Sequence, residues 1–374
     1  MSRPRVLFVS RERFQLPLDD TQTRKWDAVS QVVEPRVLAA ARDGSPTRDE
    51  RFRLTGPARP RLLDGALYYL LLPVRIAREL RAFQPDAALV QGVHEATAFL
   101  LARRLSRAPS KVVIDIQGDW REATRLYGSP LRRMLNPLGD ILGPFALRRA
   151  DGVRTISAET SALARRYGRE PLATFAPFVD VEAFHAAPPV PLPAVPAAIY
   201  VGSLERIKGF DTLVEAWRIV ADRIPEAKLR LVGSGRLAPL AAELVREDPE
   251  RVEWHERLPA SEVAAAMDAS WLLVLPSRSE GLGRVLIEAA CRGRALVGGD
   301  RGGIPDVVRP GENGLLVDPD DAPALAEALV AVLSDRGEAE RLGRGARQTG
   351  DEWRTTPEQY AERIEALVHG VLAG

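Results

Sequence analysis

Two doubly wound α/β domains joined by a proline-rich connector form the fold class this sequence predicts, and three observations predict it. The chain has 374 residues, enough for two domains that each bury a core. Short apolar runs alternate with helical patterns twice over, the arrangement that builds parallel sheets with helices on both faces. Between the two series, Pro188, Pro189, Pro191, Pro193 and Pro196 crowd a stretch suited to an extended connector. The expected organisation is a first domain over residues 1–187, a connector over 188–196, a second domain over 197–354 and a terminal helix over 355–374.

In the first series, residues 5–10, 87–91, 111–116 and 152–157 read as strands; in the second, residues 198–201, 228–232, 271–275 and 295–297 do. The final stretch places Tyr360, Ile364, Leu367, Val368 and Leu372 at the spacing of an amphipathic helix. Ligands of such sheets bind outside the carboxyl ends of the strands, so two facing domains predict a site in the cleft between them. No repeat of 20–50 residues is readable.

Composition narrows the classes. An apolar content of 45% with 28% charged residues argues against a disordered or fibrous chain. The one cysteine, Cys291, makes neither an internal disulfide nor a multi-cysteine metal site, and points to a cytoplasmic location. His94, His185, His255 and His369 are scattered, and no histidine or carboxylate cluster has metal-ligand spacing. The apolar start is too short for a signal peptide and reads as a first strand. The longest apolar run, residues 66–74, falls well short of the ~20 residues that span a bilayer.

A net charge of +1 hides an asymmetry. Residues 1–180 hold 30 Lys+Arg against 20 Asp+Glu, and the remainder holds 22 against 31. The basic half suits an anionic partner, including peripheral contact with the inner face of the cytoplasmic membrane; the alternative is an arginine-rich composition without functional meaning. Residues 67–72, with Tyr68, Tyr69 and Arg75, fit a membrane-grazing helix or, more simply, a buried domain helix. No nucleic-acid-binding motif accompanies the arginines, so no nucleic acid is expected as a partner.

The most informative segment is residues 276–288. An apolar run ends at Pro276, a loop holds Gly281 and Gly283, and a helical pattern begins at Val285 and Leu286. Strand, glycine loop and helix start together aim free N–H groups and the helix dipole at one spot, which suits a phosphate. Glu280 and Glu288 bracket that spot, and a carboxylate accepts hydrogen bonds from sugar hydroxyls. The combination suggests a nucleotide-sugar. Taken alone, the glycine loop reads equally well as a chain turn, and Glu288 as a residue favouring the helix start.

Further segments follow the same order: Tyr-Val-Gly-Ser-Leu-Glu-Arg-Ile-Lys-Gly over 200–209, Leu-Arg-Leu-Val-Gly-Ser-Gly over 229–235, and Gly-Gly-Ile-Pro-Asp over 302–306, then Asn-Gly-Leu-Leu-Val over 313–317. With the Glu-x7-Glu segment, they make residues 198–320 resemble glycosyltransferase family 4, the retaining GT-B enzymes that use nucleotide-diphosphate sugars. The resemblance implies the GT-B fold, two Rossmann-like domains facing across a cleft, with the terminal helix crossing back to the first. It implies metal-independent transfer with retention, a nucleotide-diphosphate sugar as donor substrate, no cofactor, and a glycan or lipid-linked acceptor, as in polysaccharide biosynthesis.

Residue by residue, Lys208 matches the family lysine that neutralises the leaving diphosphate. The family arginine after Gly202 is Ser203 here, which makes Arg206 a candidate substitute. Glu280 matches the glutamate near the transferred sugar and Glu288 the one that holds the ribose. The backbone of Gly281, Leu282 and Gly283 is expected on the sugar and diphosphate, and Gly233 and Gly235 beside the nucleotide. Glu256 stands where the family often has glycine, which leaves the base open. On the acceptor side, the family histidine position is Gln117, followed by Gly118, Asp119 and Trp120. Glutamine bonds a hydroxyl but cannot act as a base. Asp119 and His94 are the remaining candidates for the acceptor site. Two competing readings stand beside transfer: a catalytically silent nucleotide-sugar-binding partner subunit, motivated by Ser203 and Gln117, and a GT-B nucleotide-sugar epimerase, which the Glu-x7-Glu segment disfavours.

Overall fold

The computed structural model describes residues 3–60, 63–121, 136–186 and 188–374 and divides the chain into two compact units, Met1–Phe178 with Thr355–Gly374, and Val179–Arg354. In the first, strands β1 (Arg5–Phe14), β2 (Glu34–Ala41), β3 (Phe52–Thr55), β4 (Ala87–Gln91), β5 (Lys111–Ile116), β6 (Gly152–Thr155) and β7 (Ala173–Thr174) form one parallel sheet in the order β3-β2-β1-β4-β5-β6-β7. A parallel sheet covered on both faces needs apolar side chains on both, and β5 is buried from Val112 to Ile116. Helices Asp64–Ala82, Val93–Ser106 and Asn136–Arg149 cover one face around Leu72, Phe99, Ile114 and Leu147. Helices Asp20–Val32 and Pro357–Ala373 cover the other around Trp26, Phe52, Ile364 and Val368. The terminal helix starts at a capping box between Thr356 and Gln359 and belongs to this first unit, where its apolar stripe closes the second core.

In the second unit, β8 (Ala197–Val201), β9 (Lys228–Val232), β10 (Val252–His255), β11 (Leu272–Leu275), β12 (Ala295–Gly299) and β13 (Gly314–Val317) form a parallel sheet in the order β10-β9-β8-β11-β12-β13. All eight strands expected from the sequence are present. Five more join them, and their physics explains why they are hard to read. β7 has two residues, β10 alternates Glu253 and His255 with apolar neighbours on a sheet edge, and β2 begins Glu-Pro-Arg and ends in alanines, which favour strands weakly.

The units divide between Phe178 and Val179, ahead of the expected connector, and the proline-rich stretch lies within the second unit. Proline has no N–H, so the carbonyls of such a stretch seek donors elsewhere. Here side chains supply them. Arg294 donates to Val190 O at 2.6 Å, Arg336 to Leu192 O at 2.7 Å and Pro193 O at 3.0 Å, and the Trp271 indole to Pro193 O at 2.9 Å. The connector is a strap on the second domain.

Candidate active site

The second sheet runs from β8 toward β9 and β10 on one side, and from β11 toward β12 and β13 on the other. β8 and β11 are neighbours, so the strand order reverses between them and opens a crevice at their carboxyl ends. The loop after β8 ends in a 3-10 turn, Arg206–Lys208, and the loop after β11 carries Glu280. They meet in an ion pair: Lys208 Nζ donates to Glu280 Oε2, with the two side chains only 21% and 17% exposed. Arg278 locks the loops together. Its Nε donates to Asp320 at 2.6 Å, one terminal nitrogen to Asp211 at 2.6 Å and to the carbonyl of Arg206, and the other to Thr212 Oγ1 at 2.9 Å. Its own N–H donates to Ile207 O at 2.9 Å.

Glycine permits the close backbone contacts around this pair. Gly233 has φ of 153° and lies so near Gly202 that a Cβ there would collide with the Gly202 carbonyl oxygen. Gly302 has φ of 67°, and a Cβ there would collide with the carbonyl oxygen of Glu280, to which the next N–H, that of Gly303, donates at 2.9 Å. The Gly-Gly-Ile-Pro-Asp motif thus holds the backbone of Glu280. Gly202 N–H donates to Val232 O at 2.9 Å, Tyr200 hydroxyl to Ser203 O at 2.8 Å, and Gly235 lies against Leu204. Gly281 and the buried Leu282 lead to Gly283, the left-handed N-cap of helix Arg284–Cys291. No side chain caps that end, and Leu286 N–H donates to Gly283 O at 2.8 Å; a helix start without a side-chain cap suits an anion.

Glu288 lies in the second turn of this helix and is 8% exposed. Its Oε1 accepts from Arg284 Nε at 2.7 Å. Burial nonetheless pushes its carboxyl above the ordinary glutamate range, and the Arg284 charge opposes that only in part because its side chain is exposed and screened. Arg206 stands apart from the expectation placed on it. Its side chain is 76% exposed and its Nε lies 3.4 Å from Asp211 Oδ2.

The first sheet also reverses, between β1 and β4. A solvent-open pocket lies at those strand ends, lined by Ser10, Glu12, Lys25, Gln91, Gln117 and Arg154 among others. Its floor is a polar chain: Gln91 donates to Gln117 at 2.7 Å, Gln117 to Asp115 at 2.8 Å, and Asp115 pairs with the buried Arg154 at 2.7 Å. Gln117 belongs to this pocket; Gly118, Asp119 and His94 do not line it. Asp119 is taken up by a bidentate pair with Arg121, at 3.0 and 2.6 Å, and is no free base. His94 packs edge-on to Tyr69 with centroids 5.9 Å apart, and burial lowers its pKa. Tyr69 in turn donates to the buried Glu95 at 2.8 Å. Sequence reasoning missed Arg278, Arg284 and Gln91. Arg278 and Arg284 sit inside the motif already singled out, and Gln91 ends a strand whose carboxyl end was the signal. Among the described residues, no group of three His, Cys, Asp or Glu side chains is placed to hold a metal ion.

Two parallel sheets, each with a switch point, define the GT-B fold, and the solved structures agree. Sucrose-phosphate synthase from Thermosynechococcus elongatus superposes with a TM-score of 0.77 over 99% of this chain and 100% of its own, at 20% identity. The lipopolysaccharide outer core galactosyltransferase WaaB gives 0.70 over 98% and 99%, at 17% identity. The family description "Glycosyltransferase Family 4" matches residues 28–183 and "Glycosyl transferases group 1" matches residues 195–335. The chain belongs to the family 4, group 1 glycosyltransferases. Among curated relatives, D-inositol 3-phosphate glycosyltransferase of Nocardia farcinica is 34% identical over 49% of this chain and 44% of its own length. The sulfoquinovosyl transferase SQD2 of Arabidopsis thaliana is 30% identical over 46% of this chain and 34% of its own. The chain thus spans less than half the length of these relatives.

Proposed function

We propose that this protein transfers a glycosyl group, with retention, from a nucleotide-diphosphate sugar to a glycan or lipid-linked acceptor, without a metal ion. The observation that carries the reading is the Lys208–Glu280 pair at the switch point of the second sheet, beside the uncapped helix start at Gly283. As the sugar–phosphate bond breaks, the diphosphate gains negative charge. A fixed ammonium and aligned N–H groups stabilise that charge more in the transition state than in the ground state. Lys208 therefore exchanges Glu280 for the diphosphate when the donor binds, and Glu280, released, accepts from hydroxyls of the transferred sugar. Glu288 accepts from the ribose hydroxyls. The backbone of Gly202 and Ser203 and of Gly281 to Gly283 lines the diphosphate, with Gly233 and Gly235 beside the nucleoside. Acceptor hydroxyls fall to the first unit, where the Gln91–Gln117 amides and Lys25 offer donors.

The relatives' names fit a sugar-transfer reaction with varied acceptors, among them an inositol phosphate. A thermal-shift panel of UDP-, GDP- and ADP-sugars tests the reading and names the donor, because selective binding raises apparent stability by mass action. Slow release of free sugar and nucleoside diphosphate from the stabilising donor is the expected second result. Release of an epimer instead, or no donor stabilising the protein, would overturn it.

A further inference from the structure

Three neighbouring strands of the first sheet carry polar side chains at one level. Gln91 on β4 is in register with Asp115 on β5, and Asp115 with Arg154 on β6. Residues in register on parallel strands share a face of the sheet, and Gln117, two positions beyond Asp115, follows by alternation. That face is otherwise apolar: Phe14, Trp26, Leu89 and Val113 pack there beneath Tyr360 and Ile364 of the terminal helix. A buried ion pair is out of place in such a layer. Arg154 is 1% exposed and Asp115 8%, and an apolar pair of like volume commonly serves stability as well or better. The pair therefore points to a role other than holding the core.

Its geometry supplies one. One terminal nitrogen of Arg154 lies 2.7 Å from Asp115 Oδ1, the other donates to Phe175 O at 2.9 Å, and the guanidinium stacks 4.1 Å from the centre of the Phe175 ring. Asp115, ion-paired in this way, is a carboxylate, and a carboxylate only accepts hydrogen bonds, whereas a glutamine amide can present either end. Gln117 accordingly turns its nitrogen inward, Nε2 donating to Asp115 Oδ2 at 2.8 Å. Gln117 Oε1 is left to accept from Gln91 Nε2 at 2.7 Å. The last link, Gln91 Oε1, accepts from none of the described residues, and Gln91 lines the pocket. Were Asp115 able to donate, both amides could turn over and the chain would end in a nitrogen.

We propose that Arg154 and Asp115 are positioning residues that fix this direction, so that Gln91 meets the acceptor with its carbonyl oxygen and reads a hydroxyl there. That the hydroxyl is a glycosyl acceptor's rests on the sugar-transfer reading; the direction of the chain does not. A hydroxyl donates to Gln91 Oε1 and still accepts from a neighbouring N–H, since each amide keeps one. A phosphate or carboxylate oxygen carries no hydrogen and would set lone pair against lone pair. This end of the pocket thus selects a neutral hydroxyl, and Gln91 orients it without taking its proton.

Side-chain amide NMR of the full chain, labelled at glutamine, tests the direction without a ligand. Gln91→Leu and Gln117→Leu assign the two pairs of signals. Asp115→Asn should move the Gln117 pair and also the Gln91 pair, two links away, because asparagine both donates and accepts and no longer dictates the order. Transfer from the stabilising donor is then measured to a panel of polyols and alkyl glycosides, each paired with its phosphate or uronate. Wild type should prefer the neutral members. Asp115→Asn should shrink that preference by about tenfold, through KM for the acceptor, with donor thermal shift unchanged. Because that variant leaves buried Arg154 without a countercharge, Arg154→Met with Asp115→Leu provides a second one that removes both charges and keeps the volume. It should fold with the wild-type far-UV spectrum and lose the preference equally. Unmoved Gln91 signals, wild-type selectivity in the folded double variant, preference of wild type for anionic members, or transfer to no neutral member would each overturn the proposal. The donor panel tests sugar transfer separately, and should no donor bind, the amide signals still decide the direction of the chain.

Discussion

Glu288→Gln separates two roles for a buried carboxylate that occupies almost the same space as its amide. Glu288 is 8% exposed, and Arg284 occupies one of its oxygens at 2.7 Å. Its folded pKa is raised by burial, so its contribution to stability is full below the unfolded pKa and is lost as pH rises through the folded value. Near neutral pH the ionised group is therefore a small cost to the empty protein, which the amide removes. The amide also weakens the Arg284 contact, a helix pair worth about 0.3–0.5 kcal/mol with one exposed partner. These changes oppose each other, and the stability of the unliganded variant should lie within about 1 kcal/mol of wild type.

Donor affinity should not be spared. A carboxylate holding both ribose hydroxyls loses one acceptor in the amide, and one desolvated O–H is left without a partner. That loss corresponds to roughly tenfold to a hundredfold in Kd. The assay is calorimetric titration with the stabilising nucleoside diphosphate and its 2′-deoxy analogue. Wild type should discriminate between them and the variant much less. Wild-type affinity should also fall as pH drops through the raised pKa of Glu288, because the protonated carboxyl has lost acceptor capacity, and the variant should be flat over that range. Equal discrimination and equal pH profiles in the two proteins would refute the ribose contact.

Lys208→Ala should lower kcat/KM by about tenfold to a hundredfold through loss of a charge-assisted contact, and unchanged steady-state kinetics in a folded variant would remove it from the site. Arg206→Ala should cost much less, since that side chain is exposed and near Asp211; an equal loss would mean Arg206 substitutes for the arginine absent at Ser203. Glu280→Gln should bind the free nucleoside diphosphate more tightly, by several-fold, because Lys208 no longer has an anionic competitor, while transfer slows; weaker calorimetric binding would contradict the exchange of partners. Activity should survive excess EDTA, and loss restored only by magnesium or manganese would reveal a metal requirement. Asp268→Asn should cost about 3 kcal/mol in urea unfolding, because Arg292 and Arg294, nearly inaccessible, would share no countercharge there; a shift under about 1 kcal/mol would show that the strap carbonyls alone suffice.

The parts of this protein that were legible in the sequence are those where one physical requirement dominates. Strand β11, Leu-Leu-Val-Leu, is buried on both faces and reads as an unbroken apolar run. Residues 276–288 were legible because a strand, a glycine loop and a helix start follow in immediate succession, so local chemistry alone marks a candidate anion site. β2, β7, β10 and β13 were not, since short or alanine-rich strands gain their stability from neighbours that the local pattern does not show. The connector was misplaced for a related reason. Prolines announce extended backbone, but only the fold shows that Arg294, Arg336 and Trp271 bind its carbonyls and make it part of a domain.

The two halves of the site differ in the same way. The candidate donor residues reside in loops that approach one another through backbone: Gly233 against Gly202, Gly302 against Glu280, and Arg278 N–H to the Ile207 carbonyl. Such contacts demand particular residue types, glycine above all, and so leave a trace in sequence. The first unit's pocket is built from side chains on three separate strands, with Gln91, Asp115, Gln117 and Arg154 linked only through the hydrogen bonds they make to one another. No single position in that chain requires its residue type, because an amide or carboxylate at each step can be exchanged for another if its partner changes too. Asp119 illustrates the consequence: at a strand's carboxyl end it has the chemistry of a base, and Arg121, two residues on, folds back to occupy both of its oxygens. A site made of mutually dependent side chains becomes readable only when their partners are known.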